Sequence, residues 1–248
     1  MDEKYTPGHS ANATAFMASR SFGSHGEFIR PYLKPGMKVL DCGCGPGAIS
    51  IGLAEAVGPD GHVTGIDFGE SQIEVAKSRA TPILTFQVAS VYDLPFENNT
   101  FDLVFSHALF EHLADPVRGV REIQRVLRPG GLAGLCSPDW GGFILSPSDD
   151  RVETAIRQYR MLQEKNGGKT LAGRQLGSWL VAGGLAAQKV QARYECYSDS
   201  RIIAEYLAIQ LEQAEHNECG ARLREWALLP WSLFAESWVS AIGLKLSS

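Results

Sequence analysis

The stretch from Val39 to Gly47 constrains the fold of this chain more than any other. It reads V-L-D-C-G-C-G-P-G, so an apolar strand ends on a carboxylate and three glycines then alternate with other residues. Glycine tolerates positive φ and has no Cβ, so a ligand can lie directly against the backbone of such a turn. A helix predicted from Ala48 to Val57 points its N-terminal N–H groups at the same place. The stretch therefore predicts a strand, a tight turn and a helix that hold a nucleotide-like ligand.

The glycine pattern alone does not decide which nucleotide binds. The dinucleotide fingerprint is G-x-G-x-x-G/A with an acidic residue about 20 positions further on. The first two glycines and Ala48 satisfy its loose form, and Asp67 follows Gly47 by 20 residues. Two details oppose NAD. Asp41 would face a pyrophosphate with like charge, whereas it suits a ligand with a cationic amine, and Gly47 comes one residue too early.

Four motifs in register resemble those of a known family. D-C-G-C-G-P-G, starting at Asp41, resembles motif I (D/E-x-G-x-G-x-G) of class I S-adenosylmethionine-dependent methyltransferases. The resemblance continues with G-I-D at 65–67, L-P-F at 94–96 before N-T-F-D at 99–102, and V-L-R-P-G-G at 126–131. It is close over residues 30–137. This order resembles the branch of ubiquinone/menaquinone-biosynthesis-type and other small-molecule methyltransferases, and it implies S-adenosylmethionine as cofactor and a small-molecule substrate.

Strands and helices alternate along the first part of the chain. Strands separated by helices predict an α/β fold with a doubly wound, mostly parallel sheet that binds ligands at the C-terminal ends of its strands. The resemblance implies a seven-stranded, Rossmann-like methyltransferase sheet whose last strand, 234–246, is antiparallel. The predicted strands are 38–41, 62–67, 83–88, 101–107 and 131–137, and the predicted helices are 48–57, 70–79 and 116–127, the last with Asp115 as its N-cap.

The alternation breaks after Ser137. A loop at 138–148 is followed by helices predicted at 150–165 and 174–182, a strand at 187–197 and a helix at 200–216. We interpret residues 1–248 as one methyltransferase domain. In this interpretation residues 1–30 form an N-terminal lid, and helical insertions at 138–183 and 198–230 surround the substrate pocket.

The resemblance also implies which residues bind the cofactor. Asp67 is expected to accept hydrogen bonds from the ribose diol, the alternative being an N-cap for the next helix, and Phe68 is expected to pack on the adenine. Ser90 stands where the family usually has an aspartate, so its contact with the adenine amine is expected to be weaker or replaced by a backbone carbonyl. Arg20 pairs with the methionyl carboxylate or is an exposed cation. The predicted cofactor-binding residues are Asp41, Gly43, Cys44, Gly45, Gly47, Asp67, Phe68, Gln72, Ala89, Ser90, Val91, Ser106 and Arg20.

Two histidines after the fourth strand are candidate general bases. Methyl transfer is an in-line displacement that needs positioning, a desolvated nucleophile and sometimes a base. An imidazole takes up a proton near neutral pH, so His112 is the first choice and His107 the second. The alternative for both is local packing.

Composition excludes several classes of protein. The net charge of −5 and the pI near 5.7 oppose binding to nucleic acid. No apolar run is long enough for a membrane span, and the polar N-terminus does not resemble a secretory signal. The five cysteines are odd in number and lack a zinc-site spacing, so we predict no metal site, and reduced thiols indicate the cytoplasm. The oligomeric state stays open.

Two other functions remain as alternatives. An NAD(P)-dependent oxidoreductase would use a proton relay such as Y-x-x-x-K, which the sequence lacks. A protein that binds S-adenosylmethionine without transferring its methyl group would share the fold and the glycine turn, because fold alone does not imply function.

Overall fold

The computed structural model describes residues 5, 6, 8, 11–197 and 199–247. Within these ranges eight strands form one sheet in the order β3-β2-β1-β4-β5-β8-β6, with β7 paired to β8 as well. The strands are β1 (Lys38–Cys42), β2 (His62–Asp67), β3 (Leu84–Val88), β4 (Phe101–His107), β5 (Leu127–Pro138), β6 (Ile144–Ser146), β7 (Ala186–Cys196) and β8 (Leu233–Leu244). The helices are α1 (Ala11–Ala18), α2 (Ala48–Val57), α3 (Glu70–Lys77), α4 (Pro116–Val126), α5 (Asp150–Lys165), α6 (Ala172–Ala182), α7 (Ser200–Gln213) and α8 (Asn217–Ala227).

The first five strands are parallel, and the strand order reverses at β1. β2 lies on one side of β1 and β4 on the other, so the crevice of a doubly wound sheet opens at the C-terminal ends of these strands. β8 runs antiparallel to β5, β6 and β7. The predicted α/β fold with a mostly parallel sheet and an antiparallel last strand is confirmed.

The predicted number of seven strands is wrong, because β6 forms inside the segment that we predicted to be a loop. β8 is long enough to pair with two strands along one edge. Its Ala235 faces Ile144 of β6 and Cys196 of β7, so these two strands lie on opposite sides of β8. β6 has three residues and no alternating pattern of its own. Its strand conformation therefore depends on a pairing partner about 90 residues away, which no local signal reveals.

Helices cover both faces of the sheet. On one face α2 and α3 bury residues such as Leu53 and Ile73 against β1 to β3. On the other face α4 and α6 bury residues such as Ile123 and Leu176 against β4 and β5. The Asp115 side chain accepts a hydrogen bond from the N–H of Arg118 at 3.0 Å, which confirms the predicted N-cap of α4.

A third apolar cluster lies beyond the sheet, where α5, α7 and α8 pack around Trp140, Tyr159 and Phe234. The prediction missed α8. Only a short break separates it from α7, and Glu215 within the break has a φ of +66°. Arg224 of α8 forms ion pairs with Glu205 and Glu212 of α7, which fix the two helices together.

The N-terminal segment lies against this cluster. Phe16 of α1 stacks on Tyr206 of α7 with 4.1 Å between ring centroids. A π-helical turn at Phe22–Gly26 and a 3-10 helix at Glu27–Tyr32 then lead to β1. Part of the predicted N-terminal lid, residues 1–4, 7, 9 and 10, lies outside the described residues. Over the described ranges, no helix combines the length and the apolar character that crossing a bilayer requires.

Candidate functional site

Two adjoining cavities open at the C-terminal ends of the parallel strands. The outer cavity, of about 880 Å³, lies on the glycine turn and is lined by Asp67, Phe68 and Gln72 among others. The inner cavity, of about 40 Å³, lies towards the third apolar cluster and is lined by Glu111, Gln163 and Glu236 among others. Five residues line both cavities: Tyr5, Met17, Arg20, Ala108 and His112. The two cavities therefore meet at a shared rim.

The glycine turn requires glycine for two separate reasons. Gly43, Gly45 and Gly47 all have positive φ, between +52° and +79°. A Cβ on Gly47 would lie 2.7 Å from the Phe86 ring, so a side chain there would also clash with β3. The N–H groups of Gly43 and Cys44 donate to the carbonyl of Ile66 at 2.8 and 2.9 Å. The turn is thus fixed on the end of β2, close to Asp67.

Asp67 is held rigidly at the wall of the outer cavity. Its two carboxylate oxygens accept hydrogen bonds from the N–H groups of Gly45 and Gly69, at 2.9 and 2.8 Å. The N-cap of α3 is Gly69, so the alternative of Asp67 as the N-cap is wrong.

Ten of the thirteen predicted cofactor-binding residues line the outer cavity: Gly43, Cys44, Gly45, Asp67, Phe68, Gln72, Ala89, Ser90, Val91 and Arg20. The other three, Asp41, Gly47 and Ser106, do not. The sequence analysis missed Pro46, Ala48 and Ile49, which also line it. Their place directly after the glycines, at the start of α2, is a signal that could have identified them.

Asp41 and Ser106 support the turn from below. Asp41 is buried, and its carboxylate accepts a hydrogen bond from the Ser50 hydroxyl at 2.6 Å. Burial raises the pKa of Asp41 to about 7, against the lowering effect of Ser50 and with a further increase from Asp67. The Ser106 hydroxyl donates to the carbonyl of Cys42 at 2.9 Å and ties β4 to β1. The structure therefore places both side chains beneath the turn, where they support it, and not in direct contact with a ligand.

Ser90 and Gln72 each use part of their hydrogen-bonding capacity within the chain. The Ser90 hydroxyl accepts a hydrogen bond from the N–H of Tyr92 at 3.2 Å. The Gln72 amide nitrogen donates to the Thr14 hydroxyl at 2.9 Å and joins α3 to α1. The Gln72 Oε1 atom is buried and has no hydrogen-bond partner among the described residues. Such an orphaned acceptor at the wall of the outer cavity fits a ligand that supplies a donor.

Burial keeps His107 in the neutral form. Its ring stacks on Trp238 at 4.5 Å and meets the edge of His25 at 5.1 Å. The pKa of His107 is well below its ordinary value, first because of burial and then because of the nearby charges of Arg20, His25 and Arg193. Neither ring nitrogen has a hydrogen-bond partner in the described part of the chain.

His112 lies on the shared rim of the cavities, with its ring 4.7 Å from Tyr5 and its Nε2 atom 3.7 Å from Glu111 Oε1. Burial, with a smaller contribution from Arg20, lowers the pKa of His112 to about 3. The expectation that this imidazole takes up a proton near neutral pH is wrong, because removal from water disfavours the charged ring.

The inner cavity contains two acidic residues that the sequence analysis missed. Burial raises the pKa of Glu111 to about 7 and that of Glu236 to about 8. The Ser137 hydroxyl donates to Glu111 at 2.8 Å, and the Tyr197 hydroxyl donates to Glu236 at 3.4 Å. Glu236 interrupts the otherwise uncharged strand β8, and a charged residue inside such a strand is a signal that could have identified it.

The described residues contain no cluster of three or more histidine, cysteine or acidic side chains that could hold a metal ion. Cys42 and Cys44 are buried free thiols, and burial raises the pKa of each well above its ordinary value. They therefore serve as small residues at the turn.

Comparison with known proteins agrees with this geometry. The chain matches the family described as Methyltransferase domain over residues 33–190, well over half of its length. It is 31% identical over 179 residues to a 37.1 kDa protein in transposon TN4556 of Streptomyces fradiae, which covers 71% of this chain and 51% of that protein. It is 40% identical over 113 residues to the demethylmenaquinone methyltransferase of Symbiobacterium thermophilum, which covers 43% of this chain and 45% of that enzyme. The matched part thus spans about half the length of these relatives.

Solved structures share the fold. The YcgJ protein of Bacillus subtilis superimposes with a TM-score of 0.66 at 20% identity, covering 90% of this chain and 98% of that one. A SAM-dependent methyltransferase of Methanosarcina mazei gives a TM-score of 0.59 at 18% identity, covering 89% and 98%. The family match confirms the methyltransferase domain expected from the sequence, and it does not support an NAD(P)-dependent oxidoreductase. The chain belongs to the methyltransferase domain family.

Proposed function

We propose that this chain transfers the methyl group of S-adenosylmethionine to a small molecule. The observation that carries the proposal is the meeting of two cavities at one rim. The outer cavity lies on the glycine turn, and its volume of about 880 Å³ falls in the range of small-molecule sites. The inner cavity is walled by helices and aromatic rings, so it can hold the acceptor away from water. A rim shared by both is where a donor and an acceptor would meet.

The residues of the outer cavity fit the cofactor. Asp67 would accept hydrogen bonds from the ribose hydroxyls, with its orientation already fixed by Gly45 and Gly69. Phe68 is 81% exposed and offers a ring to the adenine. The orphaned Oε1 atom of Gln72 would accept a donor from the same ligand. Arg20 lines both cavities and would pair with the methionyl carboxylate.

The bound cofactor supplies a methyl group activated by its attachment to a sulfonium. The chain supplies position, exclusion of water and a place for a proton. Where the acceptor releases a proton, Glu111 is the better residue to take it, because its pKa of about 7 exceeds the value of about 3 for His112. His112 then positions the acceptor as a neutral ring at the rim. The predicted catalytic role of His112 as the base thus passes to Glu111 in our proposal.

Nucleic acid fits this site poorly. The chain carries a net charge of −5, and a duplex would meet unfavourable electrostatics at an acidic surface. This charge supports a small acceptor.

Methyl-labelled S-adenosylmethionine tests the proposal. The full chain is incubated with a cell extract divided into a small-molecule fraction and a macromolecular fraction. We expect label to enter the small-molecule fraction in step with S-adenosylhomocysteine release. Label confined to protein or RNA would contradict the proposal. Binding of S-adenosylhomocysteine without transfer to either fraction would favour a binding protein instead.

A further inference from the structure

The inner cavity presents several buried hydrogen-bond acceptors beside the N–H donor of Trp238. Glu111 and Glu236 line it with 3% and 4% of their surface exposed. Gln163 also lines it at 1% exposure, and its Oε1 atom has no hydrogen-bond partner among the described residues. An amide oxygen can only accept. A ligand that satisfies the Gln163 oxygen must therefore bring an N–H or O–H donor, and ionised Glu111 and Glu236 would accept further donors.

The charges around the inner cavity do not balance when both acids are ionised. Arg20 is the only lysine or arginine among the described lining residues, and its guanidinium lies 5.6 Å from the Phe16 ring and 5.7 Å from the Trp238 ring. Glu195 of β7, the next acidic residue, is paired with His25 at 3.1 Å. Two carboxyl groups thus share one cation, which leaves room for one positive charge from a ligand.

Aromatic rings form much of the remaining wall. The Trp140 and Tyr159 rings lie 5.1 Å apart, and Tyr197 and Tyr206 each stack on Phe16. Ring faces attract a desolvated cation, and nearby carboxylates strengthen that attraction. Rings and acids together are a typical environment for an ammonium group.

We propose that the methyl acceptor carries a protonated amino group, which binds in the inner cavity between Glu236, Glu111 and the Oε1 atom of Gln163. This inference rests on the proposed function and adds the substrate class. A volume of about 40 Å³ admits a head group of the size of ammonium or methylammonium, so the rest of the molecule extends to the shared rim. A carbonyl group is the main competitor, since protonated acids would donate to it, but it would leave the Gln163 oxygen without a donor.

Methylammonium chloride is the probe for this inference. It is titrated into the full chain saturated with S-adenosylhomocysteine, against formamide as an uncharged hydrogen-bonding probe of similar size and sodium chloride as the ionic-strength control. Trp140 and Trp238 line the cavity, so tryptophan fluorescence and ligand-observed NMR both report binding there. We expect saturable methylammonium binding that is at least tenfold tighter than formamide binding. Equal or weaker binding than formamide would overturn the inference.

Three variants test whether methylammonium binds in the inner cavity. Glu236→Gln keeps the shape of the side chain and removes its charge, and we expect at least a tenfold loss of methylammonium affinity. Glu55→Gln makes the same change on the exposed face of α2 and should change nothing. Gln163→Leu removes the orphaned acceptor and should weaken the probe by at least threefold. Unchanged affinity in Glu236→Gln or in Gln163→Leu would overturn the inference.

Binding of S-adenosylhomocysteine distinguishes a wrong substrate class from a wrong proposed function. A variant that still binds it is folded at the outer cavity. If the wild-type chain binds S-adenosylhomocysteine but not methylammonium, only the substrate class is wrong. If it fails to bind S-adenosylhomocysteine, the proposed function itself is contradicted.

Discussion

His112 and Glu111 are neighbours in the chain, and burial moves their pKa values in opposite directions. A buried imidazole loses its charged form, and so does a buried carboxylate. The pKa therefore falls to about 3 for His112 and rises to about 7 for Glu111. Sequence alone favours the histidine as a base, because its ordinary pKa is nearest to neutrality. The structure reverses this order, since the degree of burial cannot be read from two adjacent residues.

This reversal gives a prediction for the pH dependence of turnover. If Glu111 takes the proton, turnover should fall as the pH drops below about 7, because the carboxyl becomes protonated. Glu111→Gln should remove that acid limb and lower turnover by about 10²–10⁴. His112→Ala should lower turnover because the acceptor is positioned less well, and the acid limb of the pH profile should remain. The check is a pH profile of single-turnover rates, and a limb that disappears in His112→Ala instead would restore the histidine as the base.

A second residue-scale prediction concerns Asp67. Asp67→Asn keeps the shape of the side chain and removes the charged acceptor expected to bind the ribose. Hydrogen bonds to charged groups contribute about 1.5–3 kcal/mol, so S-adenosylhomocysteine should bind about 10- to 150-fold more weakly. Asp93→Asn makes the same change on an exposed loop and serves as the control. Calorimetry measures both, and equal affinities in two folded variants would remove Asp67 from the ribose contact.

At the scale of elements, local pattern predicted the parts of the fold that carry their own signals. The bounds of β2, α2, β4 and α5 agree with the prediction, because turn or capping residues at their ends mark these elements in the sequence. β6 and α8 were missed for different reasons. β6 has too few residues to show a period. The predicted helix at 200–216 runs through the break after α7 and stops where α8 begins, so α8 was left out.

The two ends of α2 provide a matched test of why glycine is needed. Gly47 and Gly58 both have positive φ, at +79° and +69°. A Cβ on Gly58 meets nothing within 4 Å, whereas a Cβ on Gly47 would lie 2.7 Å from Phe86. Gly58 has a ψ of −173°, a backbone region that is essentially limited to glycine, so Gly58→Ala should cost about 1–3 kcal/mol of conformational strain alone. Gly47 is in the left-handed helical region with a ψ of 16°, so Gly47→Ala should cost about 1–2 kcal/mol of strain, and about 1–3 kcal/mol more because Phe86 must move.

Urea denaturation of the two variants measures this difference in the free energy of unfolding. Gly47→Ala should also weaken S-adenosylhomocysteine binding, because a shifted turn would displace the backbone amides that hold Asp67. Equal destabilisation by the two substitutions would mean that Phe86 yields freely and that only the backbone conformation selects glycine at position 47.

At the scale of the whole molecule, the outer cavity could be predicted from sequence and the inner cavity could not. The glycine turn and Asp67 lie within one strand-helix-strand unit, so their proximity follows from local order. Glu111 and Glu236 are 125 positions apart in the chain. They line one cavity because β8 pairs antiparallel with β5, and that long-range register has no signature in either segment.

The buried acids make the stability of the folded chain depend on pH. Asp41, Glu111 and Glu236 have folded-state pKa values of about 7, 7 and 8, all above their ordinary values. Their contribution to stability is fully present below the ordinary carboxyl pKa and is lost as the pH rises through the folded values. Below about pH 6.5 the buried, neutral His107 and His112 act in the opposite direction, because their lowered pKa values favour unfolding in acid. The melting temperature should therefore fall most clearly between about pH 6.5 and pH 8.

Scanning calorimetry across this range gives the check. A change of 1 kcal/mol shifts the melting temperature of a chain of this size by roughly 2–4 °C, so the fall should amount to several degrees. Glu236→Gln cannot ionise, so its melting temperature should depend less steeply on pH than that of the wild type. A wild-type melting temperature that rises from pH 6.5 to pH 8 would contradict the raised pKa values of these acids.

Calorimetric titration of the full chain with S-adenosylhomocysteine, and separately with NADH, tests the central claim most directly. The turn, Asp67 and the outer cavity should together bind S-adenosylhomocysteine at a ratio of one to one, with a dissociation constant in the micromolar range or tighter and a loss of affinity in Asp67→Asn. NADH should give no binding heat, because the turn has the D-x-G-x-G-x-G spacing and the chain matches a methyltransferase family. Tight binding of NADH without binding of S-adenosylhomocysteine would contradict the account.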